Sequence, residues 1–74
     1  MKWTDLEKGK LYTDGIYLYR YECIHAQTMI STVHLFTIIE DVYDEEGNII
    51  DTLESNDYID SKRNPNFIKY LKEY

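Results

Sequence analysis

The dipeptide Asp14-Gly15 stands between two runs rich in tyrosine and branched apolar residues, KLYT and IYLYRYECI, and it restricts what the chain can fold into more than any other short stretch. Aspartate followed by glycine suits a two-residue type I′ turn, because both central residues of that turn take positive φ. The expectation is a β-hairpin with Thr13 opposite Ile16, Tyr12 opposite Tyr17 and Leu11 opposite Leu18. Beyond the turn, residues 16–25 alternate. Tyr17, Tyr19, Tyr21 and Cys23 fall on one face, and Ile16, Leu18, Arg20, Glu22 and Ile24 on the other. In TVHLFTIIEDVY, residues 32–43, Val33, Leu35 and Ile39 oppose His34, Phe36, Ile38 and Val42. Both segments carry apolar bulk on each face, a pattern that predicts strands covered on both sides in a closed or strongly curled sheet.

Asp44-Glu45-Glu46-Gly47-Asn48 fits a type I turn followed by a left-handed glycine, a three-residue hairpin loop with a G1 bulge. Asp44 then faces Asn48, and counting back pairs Tyr43 with Ile49, Val42 with Ile50, Asp41 with Asp51, Glu40 with Thr52 and Ile39 with Leu53. At the N-terminus, Thr4-Asp5-Leu6-Glu7 reads as a capping box on one helical turn, stopped at Gly9. At the C-terminus the period changes to that of a helix. Asn64 is the expected N-cap and Pro65 the first helical residue, with Phe67, Tyr70, Leu71 and Tyr74 on one stripe over two to three turns. The fold class expected is mainly β. It is one domain, residues 1–74, in which a four-stranded antiparallel meander curls into an SH3-like or barrel-like sheet, with an N-terminal turn and a C-terminal α-helix packed against it.

A chain of 74 residues has a limited core, and its single cysteine, Cys23, allows no internal disulfide to supplement it. The simplest expectation is a reducing, cytoplasmic setting, that of a host cell if the gene is carried by a phage. The longest apolar run is far too short to span a bilayer. Eleven aromatic residues, eight of them tyrosine, argue for an ordered module despite the charge.

Charge is distributed unevenly along the chain. Residues 1–39 hold four basic and four acidic groups and residues 61–74 hold four and one, whereas residues 40–60 hold nine carboxylates and no lysine or arginine. A net charge of −6 speaks against direct binding of nucleic acid, whose phosphates need cations. The carboxylates allow three readings: a solvated face that protects strand edges, a surface that occupies a basic groove in place of phosphates, or a metal site. Asp44, Glu46, Asn48 and Asp51 supply oxygens for calcium, but their spacing is not that of an EF-hand and no metal is expected.

Cys23, His25 and His34 are zinc-competent, yet a fourth ligand and paired-cysteine spacing are missing, and a buried thiol with two ordinary histidines is the expectation. Tyr17, Tyr19 and Tyr21 form a row that could stack a base beside Arg20, although such platforms come with a cationic groove. Met29 and Ile30, in the loop between the long strands, are expected to fold back as a lid on the core rather than protrude. No phosphate loop, nucleophile elbow or catalytic constellation is present, so no cofactor and no catalytic residue is expected.

The leading functional expectation is a non-catalytic acidic module that occupies a basic site, such as the nucleic-acid channel of a nuclease, on a partner protein. Glu40, Asp41, Asp44, Glu45, Glu46, Asp51, Glu54, Asp57 and Asp60 would form its electrostatic footprint, with Tyr43 and Tyr58 as aromatic anchors. Small acidic proteins of this size are typical of the inhibitors that phages and mobile elements carry, anti-CRISPR proteins and DNA mimics among them, an analogy of size and charge alone. Two other classes compete: a small-molecule or nucleotide binder using the tyrosine face with Arg20, and a structural subunit that contacts a larger assembly through the Met29-Ile30 loop or the C-terminal helix.

Overall fold

Alternating β-branched and aromatic residues build most of the molecule, and the computed structural model describes all of it, residues 1–74. A 3-10 turn at Trp3–Asp5 precedes β1 (Leu11–Thr13), β2 (Leu18–Gln27), β3 (Thr32–Tyr43) and β4 (Ile49–Asp60), after which come one helical turn, α1 (Phe67–Tyr70), and β5 (Lys72–Glu73). All pairs are antiparallel and the sheet order is β4-β3-β2-β1-β5. The expected meander is therefore present and extended by a fifth strand. The sheet is open, with β4 and β5 as its two edges.

One face carries the core. Phe36 has no exposed surface, and Tyr12, Tyr19, Tyr21, Ile59, Ile68 and Leu71 are buried with it, while Trp3, Leu6, Ile38 and Phe67 pack against the cluster. The rings of Tyr19, Tyr21 and Phe67 meet Phe36 at 5.8, 5.2 and 5.4 Å in edge-on arrangements. Trp3 stacks on His34 at 4.7 Å and on Phe67 at 5.9 Å, so the N-terminal turn and α1 cover the same side of the sheet. Edge-on and offset aromatic contacts each contribute about 0.5–1.5 kcal/mol beyond the area they bury. The phenols are also engaged: Tyr12 Oη accepts from the Glu7 amide at 2.9 Å, Tyr19 donates to Asp14 Oδ2 at 3.1 Å, and Tyr21 Oη is hydrogen-bonded to His34 Nδ1 at 2.9 Å.

No element covers the other face. Leu11, Leu18, Val33, Leu35 and Ile39 are half-buried there, beside an ion cluster in which Arg20 reaches both Glu22 and Glu54, at 3.2 and 2.7 Å. Thr37, buried beneath this cluster, donates to Glu22 Oε2 at 3.0 Å. The stems of these charged side chains do the covering that a second layer of structure would otherwise provide.

Several expected local features are corrected. Thr13 pairs with Leu18, Tyr12 with Tyr19 and Leu11 with Arg20, so residues 14–17 form a four-residue loop in place of a two-residue turn. Only Gly15 of that loop takes positive φ, and Asp14 instead accepts from the amides of Ile16 and Tyr17 through its side chain. Irregularities between Tyr21 and Cys23 and between Ile24 and Ala26 interrupt the strict alternation, and they place Cys23 opposite Leu35 on the uncovered face. Cys23 is accordingly exposed, not a buried thiol. The N-terminal turn begins two residues early, with the Lys2 amide donating to Asp5 Oδ2 at 2.8 Å, and Thr4 caps nothing.

The C-terminal helix is one turn rather than two to three. Its N-cap is Asn66, and Leu71 is already extended. A helix this short has little stability of its own. The chain gains more by burying Ile68 and Leu71 and pairing Lys72 and Glu73 with the otherwise open β1 edge, where the Tyr74 amide also donates to the Leu11 carbonyl. Tyr70 and Tyr74 remain exposed, off the expected apolar stripe.

Two measurements check this core. Phe36→Ala should cost about 3–5 kcal/mol, enough to unfold much of a domain this small, as read by urea denaturation. Burial holds His34 below the ordinary histidine value. The unfolded chain therefore takes up this proton first as pH falls through about 6.5, and stability should decline from there until the folded histidine also protonates. A His34→Gln variant should show a flatter profile over that window.

Candidate interaction surface

The last β2–β3 pair is Leu18 with Ile39, whereas the β3–β4 ladder continues to Tyr43 with Ile49. Beyond Ile39, therefore, β3 and β4 run on as a two-stranded arm formed by residues 40–53, and the molecule is 49 Å long but only 20 Å across in each other direction. At its tip the expected loop is present. The Asp44 amide donates to the Asn48 carbonyl at 2.9 Å, the Gly47 amide donates back to the Asp44 carbonyl at 3.1 Å, and Gly47 has φ 85°. Asp44 Oδ1 accepts from the amides of Asn48 and Glu46, both at 2.9 Å, and these bonds hold its carboxyl below the usual range.

The register behind the tip differs by one residue from the expected count. Tyr43 pairs with Ile49 as expected, but Ile50 is bulged and Val42 faces Asp51. Asp41 consequently lies opposite Thr52, whose Oγ1 donates to it at 3.3 Å, and the expected Asp41–Asp51 opposition does not occur. Glu40 faces Leu53 and Glu54 faces Ile39. A one-residue bulge thus removes a direct like-charge pair that would have destabilised the ladder.

The nine candidate carboxylates divide into two groups. Glu40, Asp41, Asp44, Glu45, Glu46 and Asp51 lie on the arm, and none has a lysine or arginine within 4 Å. The other three belong to the body of the sheet. Glu54 is paired with Arg20, and Asp57 is half-buried opposite Phe36. Asp60 accepts from the Ser31 hydroxyl and the Lys62 and Arg63 amides, of which the Ser31 bond does most to hold its carboxyl low. Asp60 is nine residues from Asp51 along one strand, roughly 30 Å, so the footprint is the arm rather than the whole acidic segment. Tyr43 is exposed on the arm, while Tyr58 packs edge-on against His25 at 4.6 Å on the uncovered face.

The arm also carries apolar residues outside the expected footprint. Ile49, Ile50 and Leu53 are each more than half exposed among the carboxylates. The signal was present in the lack of any apolar segment left to cover them. The Met29-Ile30 loop is also corrected, since both side chains project into solvent and form no lid. Tyr19 and Tyr21 are core residues, leaving Tyr17 as the exposed member of the row, and Arg20 lies on the opposite face from Tyr19 and Tyr21, tied to carboxylates. Cys23, His25 and His34 do not assemble, and no group of three or more metal-ligating side chains occurs. No helix is long and apolar enough to cross a membrane. No family model matches the chain, and neither a curated protein nor a solved structure matches it.

The tip glycine offers a direct test of the arm's independence. A Cβ at Gly47 meets no atom within 4 Å, so Gly47→Ala is penalised only through its backbone angle. It should cost about 1–2 kcal/mol, confined to the arm: hydrogen exchange at Asn48 and Ile49 accelerates while that of Phe36 is unchanged.

Proposed function

We propose that the protein is a non-catalytic binding module whose acidic β-arm occupies a positively charged, nucleic-acid-binding site on a partner protein. The observation that carries this reading is the arm itself, which presents six carboxylates without a neutralising cation on a ribbon that stands clear of the core. The core does not require this charge. Isolated two-stranded ribbons are marginally stable in water, and repulsion between carboxylates weakens them further. A cationic groove relieves that repulsion, so binding and ordering of the arm reinforce one another. The carboxylates would steer the encounter, with Tyr43, Ile49, Ile50 and Leu53 supplying apolar contact once docked. In this respect the module acts as phosphates would, in the manner of an inhibitor that mimics DNA.

The test is affinity capture from the native cell or its infected host, followed by titration of the purified partner. Glu45→Lys, Glu46→Lys and Asp51→Lys together should leave the thermal transition of the fold in place and abolish binding. Wild-type affinity should fall steeply as salt rises. Undiminished, salt-insensitive binding by the triple variant would refute the proposal.

The exposed Met29 and Ile30 side chains favour a second reading, that of a subunit contact within a larger assembly. Sedimentation of the wild type against a Met29→Ser, Ile30→Ser variant separates the two, because only the second reading makes assembly depend on this loop.

A further inference from the structure

Where β3 outruns β2, the corner between the arm and the loop at residues 14–17 forms a notch of about 420 Å³, open to solvent. The corrected hairpin creates it. Because Thr13 pairs with Leu18, Ile16 and Tyr17 extend beyond the β1–β2 ladder and stand beside the root of the arm. Tyr17, Tyr43 and Tyr74 line the notch together with Ile39, Glu40 and Asp41, and no lysine or arginine is among its lining residues. Lys72 flanks it across the β1–β5 ladder from Thr13 but lies within 4 Å of no carboxylate.

Three phenol rings, three aliphatic side chains (Ile16, Leu18 and Ile39) and two carboxylates without a cation define what such a space accepts. An anion is repelled by Glu40 and Asp41. A neutral apolar group would strip water from those carboxylates and return no partner. A cation with an aliphatic stem satisfies both kinds of lining: its charge meets the ring faces and the carboxylates that flank the notch from the two faces of β3, and its methylenes cover Ile16, Leu18 and Ile39. Between the two natural choices, a guanidinium is planar, more weakly hydrated and suited to stacking on phenol rings, whereas an ammonium holds its water more tightly. The volume lies toward the lower end of small-ligand sites, which span roughly 300–1,000 Å³, and suits a single side chain with its neighbouring backbone.

We propose that this notch receives an arginine side chain of the partner protein. The inference rests on the reading given under Proposed function only in assigning that arginine to the same basic partner. The arm lies along a cationic surface, and the notch at its root grips one guanidinium, fixing how far the arm enters.

The experiment titrates the isotope-labelled full chain with Nα-acetyl-arginine amide, following amide chemical shifts, with the lysine and citrulline counterparts as controls. Saturable shifts at Ile16, Tyr17, Tyr43 and Tyr74 are expected with arginine. Binding should be at least about threefold weaker with lysine, and no saturation is expected with the uncharged citrulline. Glu40→Gln with Asp41→Asn should weaken the arginine response about tenfold, and Tyr17→Ala about threefold; both sites are exposed, and retention of the folded spectrum is checked in each. Saturation by citrulline, equal binding of lysine, or shifts centred elsewhere overturns the inference. The arm variant Glu45→Lys, Glu46→Lys, Asp51→Lys separates the two proposals. Loss of partner capture in that variant while the wild type ignores arginine sinks the notch alone, and full capture in a variant whose notch still binds arginine sinks the docking of the arm alone.

Discussion

Phe36 is enclosed by rings from β2 and α1, and those rings are in turn covered by Trp3 and joined to His34. This single aromatic cluster is the constraint to which the other elements answer. A small domain cannot bury much aliphatic surface, and here large flat side chains fill one face of one sheet. They do so with few residues, and their hydroxyls and imidazole are satisfied by one another, by the Glu7 amide or by the Asp14 carboxylate. The N-terminal turn and the helical turn are short because their task is local: each delivers one or two side chains to the cluster and then releases the chain.

A one-sided core leaves the rest of the sheet to be protected by other means. Across its uncovered face, Arg20 links Glu22 on its own strand to Glu54 on β4, spanning β3 and shielding Thr37. The pairings of Glu22 and Thr37 with neighbouring groups hold the Glu22 carboxyl below its ordinary value, the Arg20 bonds first. This cluster also marks the limit of the body. On its far side the sheet narrows to two strands, and charge there is no longer matched by charge.

The strands, the meander order and the tip loop of the arm were legible in the sequence because each rests on short-range chemistry: period-two alternation, and glycine at a left-handed position. What could not be read were the places where one residue is added or skipped. Asp14-Gly15 carries the composition of a tight turn, but the side chain of Asp14 can serve as a surrogate backbone acceptor, and a wider loop lets Tyr12 and Tyr19 meet across the ladder. The bulge at Ile50 has no composition signature, yet it shifts every opposition behind the tip. Apolar bulk on both faces of a strand was read as coverage on both sides; half-buried residues beside long charged stems produce the same pattern. The candidate carboxylates form one group by charge along the sequence, but their separation into an arm and a body depends on where β2 stops pairing with β3, and the engagement of Glu54 and Asp60 on Arg20, Ser31 and the backbone amides of residues 62 and 63, which no local count reveals.

β4 is a twelve-residue edge strand with no neighbour on its outer side. Such an edge is a template for fibril growth unless something discourages pairing. Asp51, Glu54, Asp57 and Asp60 recur at every third position, and an interval of three in a structure of period two places gatekeepers on both sides of the ribbon in turn. Two copies aligned edge to edge and antiparallel about Ser55 and Asn56 would set Glu54 against Asp57 and Asp51 against Asp60. Negative charge along this edge thus denies the chain its own image, and since only Asp51 of the four also lies on the arm, edge protection and the charge of the arm draw on largely separate side chains.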